Sequence, residues 1–353
     1  MVTIADVARH AGVSISTVSY VLSGKRSISA DTERKVRDSI HDLGYQPNAG
    51  ARALASSKSN VLALVVPLRS DMNLPVLMQF ATGVVTAARA HEHDVLLLTQ
   101  DEGVAGLRRV AGTALTDAII VMDVEQRDPR IDVLRRLHQP SVLIGVPEEP
   151  SGLACVDLDF AAAGGECVDH LCDLGHRSLG FIGAPTPVYE RGTSFARRTL
   201  AGFQSAAERR GVAAASVACD PSYAGVRDAL AELRAKTPDL TGVIVHNEDA
   251  LAPLLDIVQA EGSAIPDDLS IVAICPDQHA QNLPVPVSAV TIPTEEIARN
   301  AVEMVMHALD SGMDAEVRLL SPELHIRASS GPAPVSAPRE ANAASPDTDQ
   351  ARP

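Results

Sequence analysis

The first 45 residues carry apolar positions at a helical period. Ile4, Val7, Ala8 and Ala11 fall at i, i+3, i+4 and i+7 and so form one face of a helix. Thr3, three residues before Asp6, makes a capping-box pattern at its start. Gly12 permits a tight turn, and Ser14 can cap a second helix in which Val18, Val21 and Leu22 share a face. Ser16 and Tyr20 project from the opposite face, flanked by Thr17 and Ser19. Ser23-Gly24 stops this helix. A third begins near Ser29, carries Asp31 and Glu33 in its first turn, buries Val36, Ile40 and Leu43, and ends at Gly44. From Val61 the pattern changes to short apolar runs: Val61–Val66, Val95–Leu98, Ala118–Val121, Val142–Ile144, Leu179–Ile182, Val243–Val245 and Leu269–Ile274. Amphipathic stretches near 75–91, 161–174, 195–210, 249–261 and 294–310 separate them. Such alternation predicts parallel sheets covered on both faces by helices.

Two such units fit the length. The first is expected at about 61–158 with 294–320 crossing back to it, the second at about 159–288. The 353 residues are 46% hydrophobic but only 3% aromatic, with no Trp, so the cores must rest on Ala, Val, Leu and Ile. The tail 329–353 has many Pro, Ala and Ser, and Val335 is its only large apolar residue, so it is expected to be disordered.

Charge divides the chain. The formal net charge is -15, yet residues 1–60 hold eight Lys/Arg against five Asp/Glu. A basic head on an acidic body directs any polyanion contact to the head. The five Cys (155, 167, 172, 219, 275) have no framework spacing and read as reduced thiols of a cytoplasmic protein. No apolar run is long enough to span a membrane, and Asp6, Arg9 and His10 interrupt any signal-peptide core. Cys167, His170 and Cys172 are metal-ligand types, but no second pair has zinc-ribbon spacing, so no metal is expected. The motifs GxSxG, GxGxxG and HExxH are absent, so neither catalysis nor a cofactor is expected.

A short helix exposing hydroxyls can enter a major groove, where hydroxyls suit phosphates and base edges. Here the residues carry a resemblance. Ile4-Ala5-Asp6-Val7-Ala8, Ala11-Gly12-Val13-Ser14, Thr17-Val18-Ser19, Val21-Leu22, Tyr45-Gln46-Pro47-Asn48 and Ala51-Arg52-Ala53-Leu54 together resemble the headpiece of the lactose/galactose/purine repressor (LacI/GalR) family. The resemblance implies a small all-α helix-turn-helix headpiece (1–47), a hinge helix and linker (48–60), and an α/β two-lobed body (61–328) like a periplasmic binding protein. It implies that Ile15, Ser16 and Tyr20 choose base sequence while Thr17 and Ser19 mainly touch phosphates. It also implies that Leu54 wedges into the minor groove and kinks the DNA. Thr3, Ser14, Ser23, Asn48 and Ala51 complete the DNA-binding set. Gly50 costs the hinge about 1 kcal/mol relative to Ala.

The body continues the resemblance in Asp157-Leu-Asp159, Leu174-Gly175-His176-Arg177, Leu200-Ala-Gly-Phe203 and Thr241 through Asn247. It implies a small effector, a sugar, held between the lobes by Asn73, Asp159, Arg198, Asn247, Glu248 and Asp277. Several positions depart from the family pattern. Thr199 stands where Arg is frequent, with Arg198 one residue earlier, and Phe160 stands where Asn is frequent. Ala273-Ile274-Cys275-Pro276-Asp277 replaces a Gly-Tyr-Asp segment, so either Asp277 substitutes or the ligand lacks that hydroxyl pair. Glu248 is read either as a ligand contact or as a cap of its helix. A purine, a sugar phosphate or no effector remain alternatives, since Tyr189, Arg191 and Phe195 supply stacking and charge. The expected partners are near-palindromic operator DNA and a second copy of the chain. No apolar repeat in the tail suggests a tetramer. A stand-alone ligand receptor is the more distant alternative.

Overall fold

The computed structural model describes residues 2–23, 26–45, 58–113, 115–312 and 314–334. The expected DNA contacts Asn48, Ala51 and Leu54 lie outside these described residues, as does the rest of the hinge.

Three helices open the chain: α1 (Ile4–Ala11), α2 (Ile15–Ser23) and α3 (Ala30–Asp42). The capping box forms as the sequence predicts. The Asp6 amide donates to Thr3 Oγ1 at 3.3 Å, and the Thr3 amide donates to the Asp6 carboxylate at 2.9 Å. Gly12 takes φ 67°, the left-handed conformation that ends α1 without a Cβ penalty. Ser14 accepts from the Thr17 amide at 3.1 Å and so starts α2. Val7, Val18 and Val36 are fully buried where the three helices meet, with Ile4, Val21, Ile40 and Tyr45 packed around them. His10 donates to Ser39, which turns its own hydroxyl to the Lys35 carbonyl, so the polar Ser39 is buried but satisfied.

The remaining strands are β1 (Val61–Val65), β2 (Asp94–Leu98), β3 (Ala118–Val121), β4 (Ser141–Ile144), β5 (Ala154–Leu158), β6 (Ser178–Gly183), β7 (Ala213–Ala218), β8 (Gly242–Val245), β9 (Ser270–Cys275), β10 (Ser288–Thr291), β11 (Val317–Leu320) and β12 (Leu324–His325). Between them run α4 (Leu74–Ala90), α5 (Gly103–Gly112), α6 (Ile131–Leu134), α7 (Phe160–Asp173), α8 (Thr186–Glu190), α9 (Ser194–Arg210), α10 (Tyr223–Lys236), α11 (Glu248–Ala260), α12 (Asp277–Gln281) and α13 (Thr294–Ser311). The described residues fall into two units. The first takes those up to Leu158, then Arg191–Phe195 and Pro293–Leu320; the second takes Asp159–Glu190, Ala196–Ile292 and those from Ser321 on.

The first unit's sheet has the order β11-β5-β4-β3-β1-β2, all parallel. The second has β12-β10-β9-β8-β6-β7, parallel except for β12 against β10. Strands β3, β4, β6, β8 and β9 are buried along their whole length, which is why they read as unbroken apolar runs. In the second unit α7 and α9 approach closely. A Cβ on Gly202 would lie 1.9 Å from the Ala161 carbonyl oxygen, and one on Gly164 would lie 2.4 Å from that of Thr199. Both positions therefore require glycine.

One expectation is corrected. Residues 329–334, the start of the expected disordered tail, are held against the second unit. Ser329 is fully buried; its hydroxyl donates to the Ile271 carbonyl at 2.6 Å and its carbonyl accepts from the Ile271 amide at 2.7 Å. The buried His176 donates to the Gly331 carbonyl at 3.1 Å, and burial holds its imidazole below the usual value. The segment is anchored by hydrogen bonds, which its lack of apolar residues did not reveal.

Candidate DNA-reading and effector sites

On α2, of the residues expected to read bases, Ile15 is 52% exposed and Tyr20 37%. Ser14 bonds both Ser16 (2.9 Å) and Thr17 (2.8 Å), a hydroxyl cluster over the first turn. Thr17 and Ser19 are half-buried, and of Ser23 only its place at the helix end is described. Thr3 is spent on capping; its hydrogen bonds hold the Asp6 carboxyl below the ordinary range. The sequence reading did not single out Arg26, whose guanidinium lies 5.8 Å from the Tyr20 ring centre and brings positive charge to that face. Its signal was the basic pair Lys25-Arg26 just beyond α2.

In open parallel sheets ligands bind beyond the carboxyl ends of the strands. At that end of the first unit lies a pocket of about 670 Å³ whose lining includes Arg69, Asp101, Glu125, Asp128 and Arg130. Arg69 donates to Asp101 at 3.0 Å and also pairs with Asp123. Arg130 is locked between Asp128 and the carbonyls of Met122 and Asp123. Burial, then the neighbouring Asp128, raises the Glu125 carboxyl. Asn73 caps α4, its side-chain oxygen accepting from the Val76 amide at 2.9 Å. Among the described residues, three side chains of this unit hold buried polar atoms without a hydrogen bond, the Thr116 hydroxyl being one. Arg191 gives Nη1 to Asp71, but its Nε and Nη2 are buried with no hydrogen bond, as is the Thr193 hydroxyl. Unsatisfied buried donors are costly and point to a missing acceptor.

At the carboxyl ends of the second unit's strands, Asp159 caps α7 through the Ala162 amide at 3.1 Å and faces Arg198 at 3.6 Å. Arg198 thus meets a predicted ligand residue although it stands one place from the usual position. Asn247 is 8% exposed, and its amide donates to the Gly183 (3.2 Å) and Cys219 (2.9 Å) carbonyls. It braces three strand ends and keeps only its oxygen for other use. Glu248 opens α11, and desolvation pushes its carboxyl up to about 7. Next to Asn247, His246 stacks on Phe160 with ring centres 5.4 Å apart; burial pushes its imidazole down to about 4. Asp277 accepts from His325 at 2.8 Å and from Arg327. Against the cost of burial, these bonds hold the Asp277 carboxyl low, and they raise His325 in return. Asp277 is therefore committed to β12 and the residue two beyond it. Tyr223, 53% exposed at the start of α10, adds an aromatic face near the end of β7 that the sequence reading passed over. Among the described residues, no group of three His, Cys, Asp or Glu side chains could hold a metal, and no helix is long and apolar enough to cross a membrane.

Residues 3–48 match the description of bacterial regulatory proteins of the lacI family, and residues 168–330 match a periplasmic binding protein-like domain. The chain thus carries a head of the lacI family of bacterial regulatory proteins followed by a periplasmic binding protein-like domain. A curated relative, the HTH-type transcriptional regulator AglR of Rhizobium meliloti (strain 1021), is 28% identical over 350 residues, 96% of either chain. Two solved structures share the fold. The lac repressor dimer bound to operator and the anti-inducer ONPF has a TM-score of 0.80 at 20% identity, covering 94% of this chain and 99% of that one. The transcriptional regulator CelR–cellobiose complex has a TM-score of 0.67 at 24% identity, covering 93% and 100%. The chain, with its lacI-family head, is a DNA-binding transcriptional regulator.

Proposed function

We propose that the protein is a cytoplasmic, non-enzymatic repressor of carbohydrate-utilisation genes. It binds a near-palindromic operator as a homodimer and responds to a sugar taken up at the carboxyl-end loops of its two units. The observation that carries the DNA reading is the packed three-helix head with Ile15, Ser16 and Tyr20 exposed on α2. The sugar reading rests on the chemistry at those loops: carboxylates and an amide oxygen suit hydroxyls, Arg198 adds a charged fork, and Tyr223 offers a stacking face. CelR, of like fold, is described in complex with cellobiose. The empty edge of Arg191 favours a ligand that also presents paired acceptors, which keeps a sugar phosphate or a purine as the second reading. The homodimer is supported by an uncovered apolar surface in the first unit. Edge strand β2 exposes Leu96 and Leu97, and α4 exposes Leu74, Met78 and Val85.

Ligand control follows from differential affinity: a ligand that prefers one arrangement of the protein shifts its population. The test is fluorescence anisotropy on the DNA upstream of the protein's own gene, at fixed salt because phosphate contacts are steeply salt-dependent. Sugars and purines are added in turn. Release by one sugar, lost in Arg198→Ala with operator affinity intact, is the expected result. Tight binding indifferent to every compound would remove the effector half of the reading.

A further inference from the structure

The chain enters the first unit's sheet through residues 58–60, immediately after the segment expected to form the hinge. Asp117, the residue before β3, holds this entry. Its carboxylate accepts from the Ser59 amide (2.7 Å), the Ser59 hydroxyl (2.8 Å) and the Asn60 amide (2.8 Å). The Ser59 oxygen also accepts from the Val61 amide at 3.3 Å. Asn60 takes φ 55°, a left-handed turn that a local interaction must hold. The backbone locks the same place: the Asp94 amide donates to the Asn60 carbonyl at 2.9 Å and the Asp117 amide to the Val61 carbonyl at 2.8 Å. His93 stands beside the carboxylate, its Nε2 3.7 Å from Asp117, while its Nδ1 donates to the His91 carbonyl at 2.7 Å. A carboxylate that accepts three hydrogen bonds from two successive residues fixes both position and direction of the chain leaving the unit.

Strand β3 continues from Asp117 toward the ligand end of the same unit. It spans four residues, about 13 Å at the usual rise. Just past its end, Arg130 binds the Met122 and Asp123 carbonyls and Asp123 pairs with Arg69. Glu125 bridges Thr193, and the Ser194 amide donates to the Val124 carbonyl at 2.8 Å. One buried strand therefore carries the chain-exit clamp at its amino end and, at its carboxyl end, the segment holding the Thr193 hydroxyl and the unsatisfied Nε and Nη2 of Arg191.

We infer that Asp117 is the positioning residue that sets the exit of the DNA-binding arm, and that β3 links that exit to the carboxyl-end loops. The inference rests on the operator-binding reading above. Asp117 touches neither DNA nor ligand; it acts by making Ser59 and Asn60 a fixed anchor, so that both heads of a dimer can meet their half-sites without a further ordering cost. Sequence-independent attachment, which needs only phosphate contacts from each head, does not require that anchor.

The test uses the full-length chain. A duplex is first enriched from a random library with the wild-type protein. Affinity for that duplex and for a scrambled one is then measured at fixed salt for wild type, Ser59→Ala, Asp117→Asn and Asp117→Ala, alongside Tm. Asp117→Asn is expected to lower affinity for the enriched duplex about tenfold, within the range of coupling changes seen for residues remote from either ligand. Affinity for the scrambled duplex should stay the same. Ser59→Ala, which keeps both amide bonds, should cost less. Should Asp117→Ala fail to fold, Asp117→Asn and Ser59→Ala still decide the matter. Loss of Tm with an unchanged ratio of specific to nonspecific affinity would reduce Asp117 to a structural cap and overturn the inference. Failure of the wild type to enrich any sequence would instead overturn the operator reading, and this inference with it.

Discussion

The head and the body present their functional side chains in opposite ways. On α2, Ile15, Ser16 and Tyr20 stand exposed, with Ser16 bonded to Ser14 and Arg26 near the Tyr20 ring. At the carboxyl ends of the sheets the candidates already have protein partners: Asn73 and Asp159 cap helices, Asn247 joins strand ends, and Asp277 holds His325 and Arg327. The head offers exposed groups, held only by contacts at the surface of the helix itself and to Arg26, to a partner with fixed geometry. The body uses the same groups to hold its loops, so a ligand there competes with, or reinforces, internal bonds. Such a site couples binding to structure, whereas the head only needs to be delivered intact.

The largest test of this contrast is Arg191→Met. It removes the one guanidinium edge in the first unit that is buried and has no partner, so the response to ligand should vanish while operator affinity is unchanged; a retained response in the anisotropy titration would shift the ligand elsewhere. Tyr20→Ala removes an exposed group. It should cost about one to two orders of magnitude on the preferred operator with no change in Tm, because each lost base contact is worth about 1–3 kcal/mol. Asn247→Ala removes a committed one. Leaving the Gly183 and Cys219 carbonyls without a donor should lower unfolding free energy by about 1–3 kcal/mol in denaturant titrations, whereas unchanged stability would free Asn247 for ligand alone.

The smallest effect is a pH dependence that wild type conceals. Glu248 is raised from 4.5 to about 7, so the folded state keeps a proton that the unfolded state gives up. Its contribution is full below about 4.5 and is lost as pH rises toward 7. His246 is lowered from 6.5 to about 4, so the unfolded state binds the extra proton there, and stability rises with pH across that window. The two slopes oppose each other between 4.5 and 6.5. Glu248→Gln should therefore uncover a rising stability profile and His246→Phe a falling one. Identical profiles in both variants would show that neither group is shifted.

Much of this architecture was legible in the sequence. The capping box, the Gly12 turn and the Val7–Val18–Val36 core follow from short-range rules, and the buried strands announced themselves as apolar runs. Strands missed by pattern are the wholly buried β5, whose short apolar run Asp157 interrupts, and those whose burial depends on neighbours. β7 is an Ala-rich edge strand with half its residues exposed, β10 mixes Ser and Thr with Ala and Val, and β11 is a half-exposed edge. Arg191–Phe195 follows the second unit's α8 in the chain but joins the first unit, because Gly192, Thr193 and Ser194 meet the backbone of residues 124–126. That pairing has no local signature. For the same reason the effector candidates were chosen by family resemblance, while the unsatisfied Nε and Nη2 of Arg191 and the Thr193 hydroxyl emerge only once burial is known.

The central claim is that the head reads base sequence through one face of α2. Selection from a random duplex library, run in parallel for wild type, Ser16→Ala and Tyr20→Ala at the same salt, tests it most directly. The account predicts a near-palindromic motif for the wild type and a changed base preference at one or two positions of each half-site in each variant. An identical motif from all three proteins would contradict it.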